Sequence, residues 1–200
     1  MENLMSDRPV YTDIMIDIET TGLEPNRNAI LQIGAVKFNK DTQEVSPDFF
    51  NMSLSMMPWR SWDQGTLSWW RNQKPGLLES IMLQQKPYKE VMEAFQVYVN
   101  EANKDLLGRT HQQGIRFWSK PTHFDFMFIA GYFSDCGLVN PLSYRDANDM
   151  NSYIRGLYYP EQVDMDLERS VLHNGDAHDG LQDCFYQLKI LFAHLNKVGK

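Results

Sequence analysis

An α/β domain built on a mixed sheet is the fold class this sequence predicts. Apolar strand-like runs come first, helical periodicity then alternates with shorter strand candidates, and no repeat, low-complexity tract or linker breaks the order. With 200 residues, 42% of them hydrophobic and 22% charged, the chain suffices for one sizeable core. A single domain over residues 1–200 is the simplest organisation.

Residues 12 to 20 predict the first strand, and Gly22, Pro25 and Asn26 the turn after it. Ile30 to Phe38 predict a second strand and Phe49 to Leu54 a third. Asp63 is placed to cap a short helix through Trp69, Trp70 and Arg71, which Pro75 and Gly76 end. Another short helix is expected near Leu77 to Leu83. Pro87 opens a longer one, in which Val91, Phe95, Tyr98 and Val99 recur at helical spacing. Ile115 to Trp118 predict a strand, and Thr122 a cap for a helix from His123 to about Phe133. Leu142 to Tyr144 are expected as the last strand. Asp149 or Asn151 starts a helix through Tyr153 and Ile154, residues 156 to 177 read as loop, and Gly180 to about Asn196 form the final helix.

Composition narrows the function. No apolar stretch approaches the roughly 20 residues that cross a membrane, and Met1 to Val10 lack the apolar core of a signal peptide. Two cysteines, Cys136 and Cys184, make no disulfide framework, so an intracellular, cytoplasmic protein is expected. With 19 Lys and Arg against 26 Asp and Glu, the net charge of −7 argues against broad, sequence-independent duplex binding. An acidic metal site remains compatible with a nuclease, because bound cations offset its charge.

Asp17 and Glu19 lie two apart in the apolar run Ile14-Met15-Ile16-Asp17-Ile18-Glu19. On a strand they share one face, where adjacent like charges call for a cation between them. Asp125 sits among phenylalanines in Phe124-Asp125-Phe126, and His178 precedes Asp183 by five residues. Hard divalent cations favour such oxygen ligands, and a histidine titrating near neutrality suits proton removal from water. Each residue alone has a plainer reading: an edge-strand pair, a helix-dipole acid, a loop histidine. Asp179, beside His178, reads as helix-start charge.

The order and context of these motifs resemble the DEDDh exonucleases, also called DnaQ-like or RNase T-like. Asp17-Ile18-Glu19-Thr20-Thr21-Gly22 is similar to the first motif, Asp125 with its phenylalanines to the second, and His178 with Asp183 to the third. Trp69-Trp70 and Phe117-Trp118 resemble the branch of phage exonuclease A and a mycobacterial-type exoribonuclease. The resemblance implies an RNase H-like fold with a five-stranded mixed sheet, and an enzyme of bacterial or phage type. It implies 3′–5′ hydrolysis at the ends of single strands or 3′ overhangs, with release of nucleoside monophosphates. Asp17, Glu19, Asp125 and Asp183 would hold two Mg²⁺ or Mn²⁺ ions, and His178 would be the general base. A second copy of the chain is an expected partner, since the family often forms homodimers, and a membrane is not.

For substrate contacts, the resemblance points to Thr20, Thr21 and Leu23, which otherwise form a simple turn. Among the paired aromatics, Trp70 and Trp118 are chosen as base-stacking surfaces, with core packing as the alternative. Arg71, Arg116 and Lys120 could serve phosphate or be ordinary surface charge. His111, His173 and His194 show no partnered pattern, and His123 reads as a surface or capping residue. The phage resemblance favours single-stranded DNA over RNA. A nucleic-acid module with a decayed site is the competing class, but all four acids and the histidine are present.

Overall fold

The computed structural model describes residues 9–107, 114–173 and 177–199. Five strands form one mixed sheet: β1 (Asp13–Thr20), β2 (Ile30–Phe38), β3 (Val45–Ser53), β4 (Arg116–Ser119) and β5 (Ala147–Asp149). Their order is β3-β2-β1-β4-β5. β1, β2 and β3 pair antiparallel, whereas β4 and β5 run parallel to β1. Among the described residues seven α-helices accompany them: α1 (Gln64–Arg71), α2 (Leu77–Leu83), α3 (Tyr88–Leu106), α4 (Thr122–Asp135), α5 (Met150–Tyr158), α6 (Met165–Ser170) and α7 (Gly180–Val198).

The sheet is covered on both faces. Ile14, Ile16 and Ile18 of β1 pack with Phe95 and Val99 of α3 and with Phe128 and Ile129 of α4. Met15 faces the other way, among Cys184, Leu188 and Leu191 of α7. Strand alternation divides these residues, and double burial explains why β1 and β2 are apolar on both sides. A smaller cluster of Leu31, Trp70, Leu77 and Ile81 seats α1 and α2.

Local chemistry accounts for the element boundaries. Asp63 accepts the Thr66 N–H at 2.7 Å, which caps α1 as the sequence predicts. Asp149 accepts the Ser152 N–H at 2.8 Å and starts α5. Gly199, at φ 73°, closes α7 in the left-handed conformation that glycine adopts freely.

Two expectations are corrected. Leu142 to Tyr144 is not the last strand; Leu142 packs into the core, and Tyr144–Asp146 form a 3-10 turn before β5. The stretch 156 to 177 is not all loop, since α5 continues to Tyr158 and Asp164 caps α6. His111 lies outside the described residues. Among the described residues no helix is long and apolar enough to cross a membrane.

Candidate active site

Alternation along β1 turns Asp17 and Glu19 toward α7. β1 and β4 pair from Asp13↔Arg116 to Met15↔Trp118 and then part. The parting releases the Ile18 N–H, which donates to Asp125 Oδ1 at 3.1 Å. Asp125 stands in the first turn of α4 and is buried.

α7 brings the rest. Asp179 caps it, accepting the Gln182 N–H at 3.1 Å, which matches the helix-start role read from sequence. Gly34, opposite Asp17 in the ladder, meets Gly180 backbone to backbone. A Cβ at Gly34 would stand 2.2 Å from the Gly180 carbonyl carbon, so only hydrogen fits. This contact presses the start of α7 onto β1 and β2 and carries Asp183 toward the strand acids. Ligand atoms of Glu19, His178 and Asp183 all lie within 4.8 Å of one another.

The cluster is electrostatically costly. Burial raises the Asp17 and Glu19 carboxyls well above the usual range, and repulsion from neighbouring carboxylates, Asp125 and Asp183 among them, raises both further. Burial also pushes Asp125 up to about 7, against hydrogen bonds from Ser119 and the Ile18 N–H. Gln187 donates to Asp17 Oδ1 at 2.7 Å and partly offsets the crowding. Among the described residues no lysine or arginine pairs with any of the four carboxylates. Four oxygen-donor side chains without a lysine or arginine partner among the described residues fit hard divalent cations, whose charge would relieve that repulsion.

Asp183 is held at both oxygens. Oδ2 accepts the His178 N–H at 2.9 Å, and Oδ1 lies 2.6 Å from His173 Nε2. His178 has φ 67°, left-handed for a non-glycine residue, and its ring centroid lies 4.6 Å from that of Trp69, edge to face. The imidazole thus stands between the acids and an aromatic wall.

That wall belongs to a cavity of about 450 Å³, lined by Glu19, Thr20, Leu23, Asp63, Thr66, Trp69, Trp70 and Phe124. A larger groove of about 760 Å³ lies against β5 and α5 and contains none of the four clustered acids, so volume alone does not locate the site.

The predicted substrate residues divide. Leu23 is 75% exposed at the cavity mouth. Thr20 lines the cavity while its hydroxyl donates to the Gly22 carbonyl. Thr21 is buried, its hydroxyl donating to the Ser61 carbonyl and accepting the Ala29 N–H, so it shapes the turn. Trp70 is buried and donates Nε1–H to the Thr20 carbonyl; Trp69, 42% exposed, is the neighbour that offers a free ring. Trp118 corrects the sequence expectation outright. It is buried beneath Tyr153 and donates Nε1–H to Asp13 at 2.7 Å, near the opposite end of β1. Arg116 pairs with Asp13 and Lys120 with Glu168, which commits both to structure.

Sequence reasoning missed Gln187, His173 and the Gly34–Gly180 contact. Gln187 was within reach, since it follows Asp183 by four residues on the same helix face.

The sheet order is that of an RNase H-like fold, and the clustered acids with His178 fit the DEDDh exonuclease class. The chain belongs to the family of Rv2179c-like 3′–5′ exoribonuclease domains, whose model matches residues 12–195. No curated protein is a significant sequence match. Among solved structures, zinc-bound E. coli exonuclease I with single-stranded DNA superposes with TM-score 0.69 at 12% identity. That match covers 94% of this chain and 41% of exonuclease I, so the chain spans less than half of that relative. S. pombe Pop2p, in its Mg²⁺ and Mn²⁺ form, gives 0.63 at 10% identity over 94% of this chain and 83% of its own. The nuclease domain of 3′hExo, a DEDDh member bound to rAMP, gives 0.60 at 14% identity over 94% of both chains. At these identities the likenesses establish the fold.

Proposed function

We propose that this protein is a metal-dependent 3′–5′ exonuclease that shortens single-stranded nucleic acid and releases nucleoside monophosphates. One observation carries the reading. Four crowded carboxylates converge beside a histidine, and one of them, Glu19, lines an aromatic-walled cavity.

Asp17, Glu19, Asp125 and Asp183 would hold two divalent cations, Mg²⁺ or Mn²⁺. Such a pair stabilises the attacking and departing oxygens of an in-line displacement. His178 removes the proton from the attacking water as it bonds to phosphorus, and the P–O3′ bond of the preceding nucleotide breaks. Trp69 and Leu23 present apolar surface to the terminal base and sugar, which orients the scissile phosphate toward the acids. The matching family's description as an exoribonuclease supports RNA, against the DNA favoured by sequence.

The test uses 5′-labelled RNA and DNA oligomers of one sequence, each with Mg²⁺, Mn²⁺ or EDTA. A ladder of products shortened from the 3′ end, abolished by EDTA, is expected, with RNA consumed faster. Undiminished cleavage in EDTA would sink the reading, and cutting of a closed circular strand would make the enzyme an endonuclease.

A further inference from the structure

We infer that His173 is a positioning residue for Asp183, an inference that rests on the proposed role of Asp183 as a metal ligand. His173 Nε2 lies 2.6 Å from Asp183 Oδ1. The two side chains are similarly sheltered, at 20% and 18% exposure, so water competes weakly for the bond. The His173 ring packs on Tyr186, one turn beyond Asp183 on α7, with centroids 4.7 Å apart. Its Nδ1 is buried and without a hydrogen-bond partner among the described residues. The ring is therefore placed by its packing on Tyr186 and by Asp183, and the tautomer assigned by this contact carries its hydrogen on Nε2.

With His173 on Oδ1 and the His178 N–H on Oδ2, the carboxylate plane cannot rotate freely. Each carboxylate oxygen has about two acceptor directions, so one hydrogen bond leaves the other for a cation. A ligand fixed in this way loses little further freedom when the cation arrives. Partners of this outer kind hold ligating carboxylates elsewhere, and losing one costs about 10–100-fold in metal affinity.

The test is Mn²⁺ titration calorimetry on the unmodified protein, His173→Phe and His173→Gln. Phenylalanine keeps the ring against Tyr186 without a donor, whereas glutamine brings an amide N–H to about the reach of Nε2. The expected result is binding weakened by about 10–100-fold in His173→Phe and largely restored in His173→Gln. Should the phenylalanine variant not fold, His173→Asn, whose amide is too short to reach Oδ1, takes its place. Unchanged or tighter binding in the donor-less variant overturns the inference, the latter because His173 would then be competing for Oδ1. Equal weakening in both variants also overturns it, as a packing effect. No Mn²⁺ binding by the unmodified protein would overturn the reading of the site itself.

Discussion

The Asp125 carboxylate accepts the amide hydrogen of Ile18, 107 residues away in sequence, at 3.1 Å. That bond fixes the third acid against the peptide between Asp17 and Glu19, where β1 and β4 have separated. An acid from a helix and two from a strand thereby come within electrostatic range of one another, and their repulsion bears on the behaviour of the protein without metal.

Asp17→Asn is expected to abolish turnover while raising the melting temperature in EDTA. The amide retains shape and removes one charge from a cluster in which burial and three neighbouring carboxylates oppose ionisation. In a chain of this size about 1 kcal/mol moves the midpoint by roughly 2–4 °C. Calorimetric scans of both proteins in EDTA decide it, and a lower midpoint in the variant would contradict the account.

Stability in EDTA should fall as pH rises. The folded state holds the Asp125 proton up to about 7, against an ordinary value of 3.8, and Asp17 and Glu19 shift the same way. The stability linked to the Asp125 proton is fully present below that ordinary value and is lost as pH rises through about 7, and the raised Asp17 and Glu19 carboxyls act in the same direction. Urea unfolding from pH 5 to 8 should show a declining midpoint in EDTA, with the decline reduced by saturating Mn²⁺. A midpoint that rises over this range in EDTA would contradict the assignment.

His178→Ala should lower the single-turnover rate by about 10²–10⁴-fold at saturating metal, the range for a positioned proton acceptor. Asp179→Asn should keep most of the rate, because asparagine caps a helix about as well as aspartate. The reverse pattern would transfer the base role to Asp179.

Much of the fold was legible because its signals are local. The apolar run Ile30 to Phe38 and the capped helix after Asp63 need no partner to be recognised, and both formed where expected. β5 was misplaced for the opposite reason. Ala147-Asn148-Asp149 carries no apolar pattern, and it is a strand because β4 offers it a parallel edge. α6 spans six mostly polar residues and depends on Asp164. At the site, the joint order and context of the three motifs singled out acids that the fold brings close together. Choosing between Trp69 and Trp70 needed the docking of α1, and Trp118 lies on a doubly covered strand, where alternation marks no outward face.

Trp69→Ala should raise KM for short oligomers several-fold with little loss of stability, since its ring is partly exposed on the cavity wall. Trp118→Ala should instead destabilise the fold by about 3–5 kcal/mol, as large aromatic truncations in cores do. Paired steady-state kinetics and urea unfolding separate these outcomes. Normal stability in the Trp118 variant would contradict its buried role.

Gly34→Ala is expected to impair both folding and activity, although it adds one methyl group far from any exposed surface. The methyl would meet the Gly180 backbone and force the start of α7 away from β1 and β2. Overpacking of this kind costs about 1–3 kcal/mol or more. Urea unfolding together with Mn²⁺ affinity would test it, and a variant with native values for both would show that α7 has slack there.

The left-handed backbone of His178 ends in an amide hydrogen given to Asp183. Residues outside glycine occupy that conformation at a penalty of about 1–2 kcal/mol, so something must keep it there. Asp183 does so with the same carboxylate that faces the other acids. Replacing the acid is therefore expected to slacken the histidine as well, so that a second change at His178 should add little to the damage.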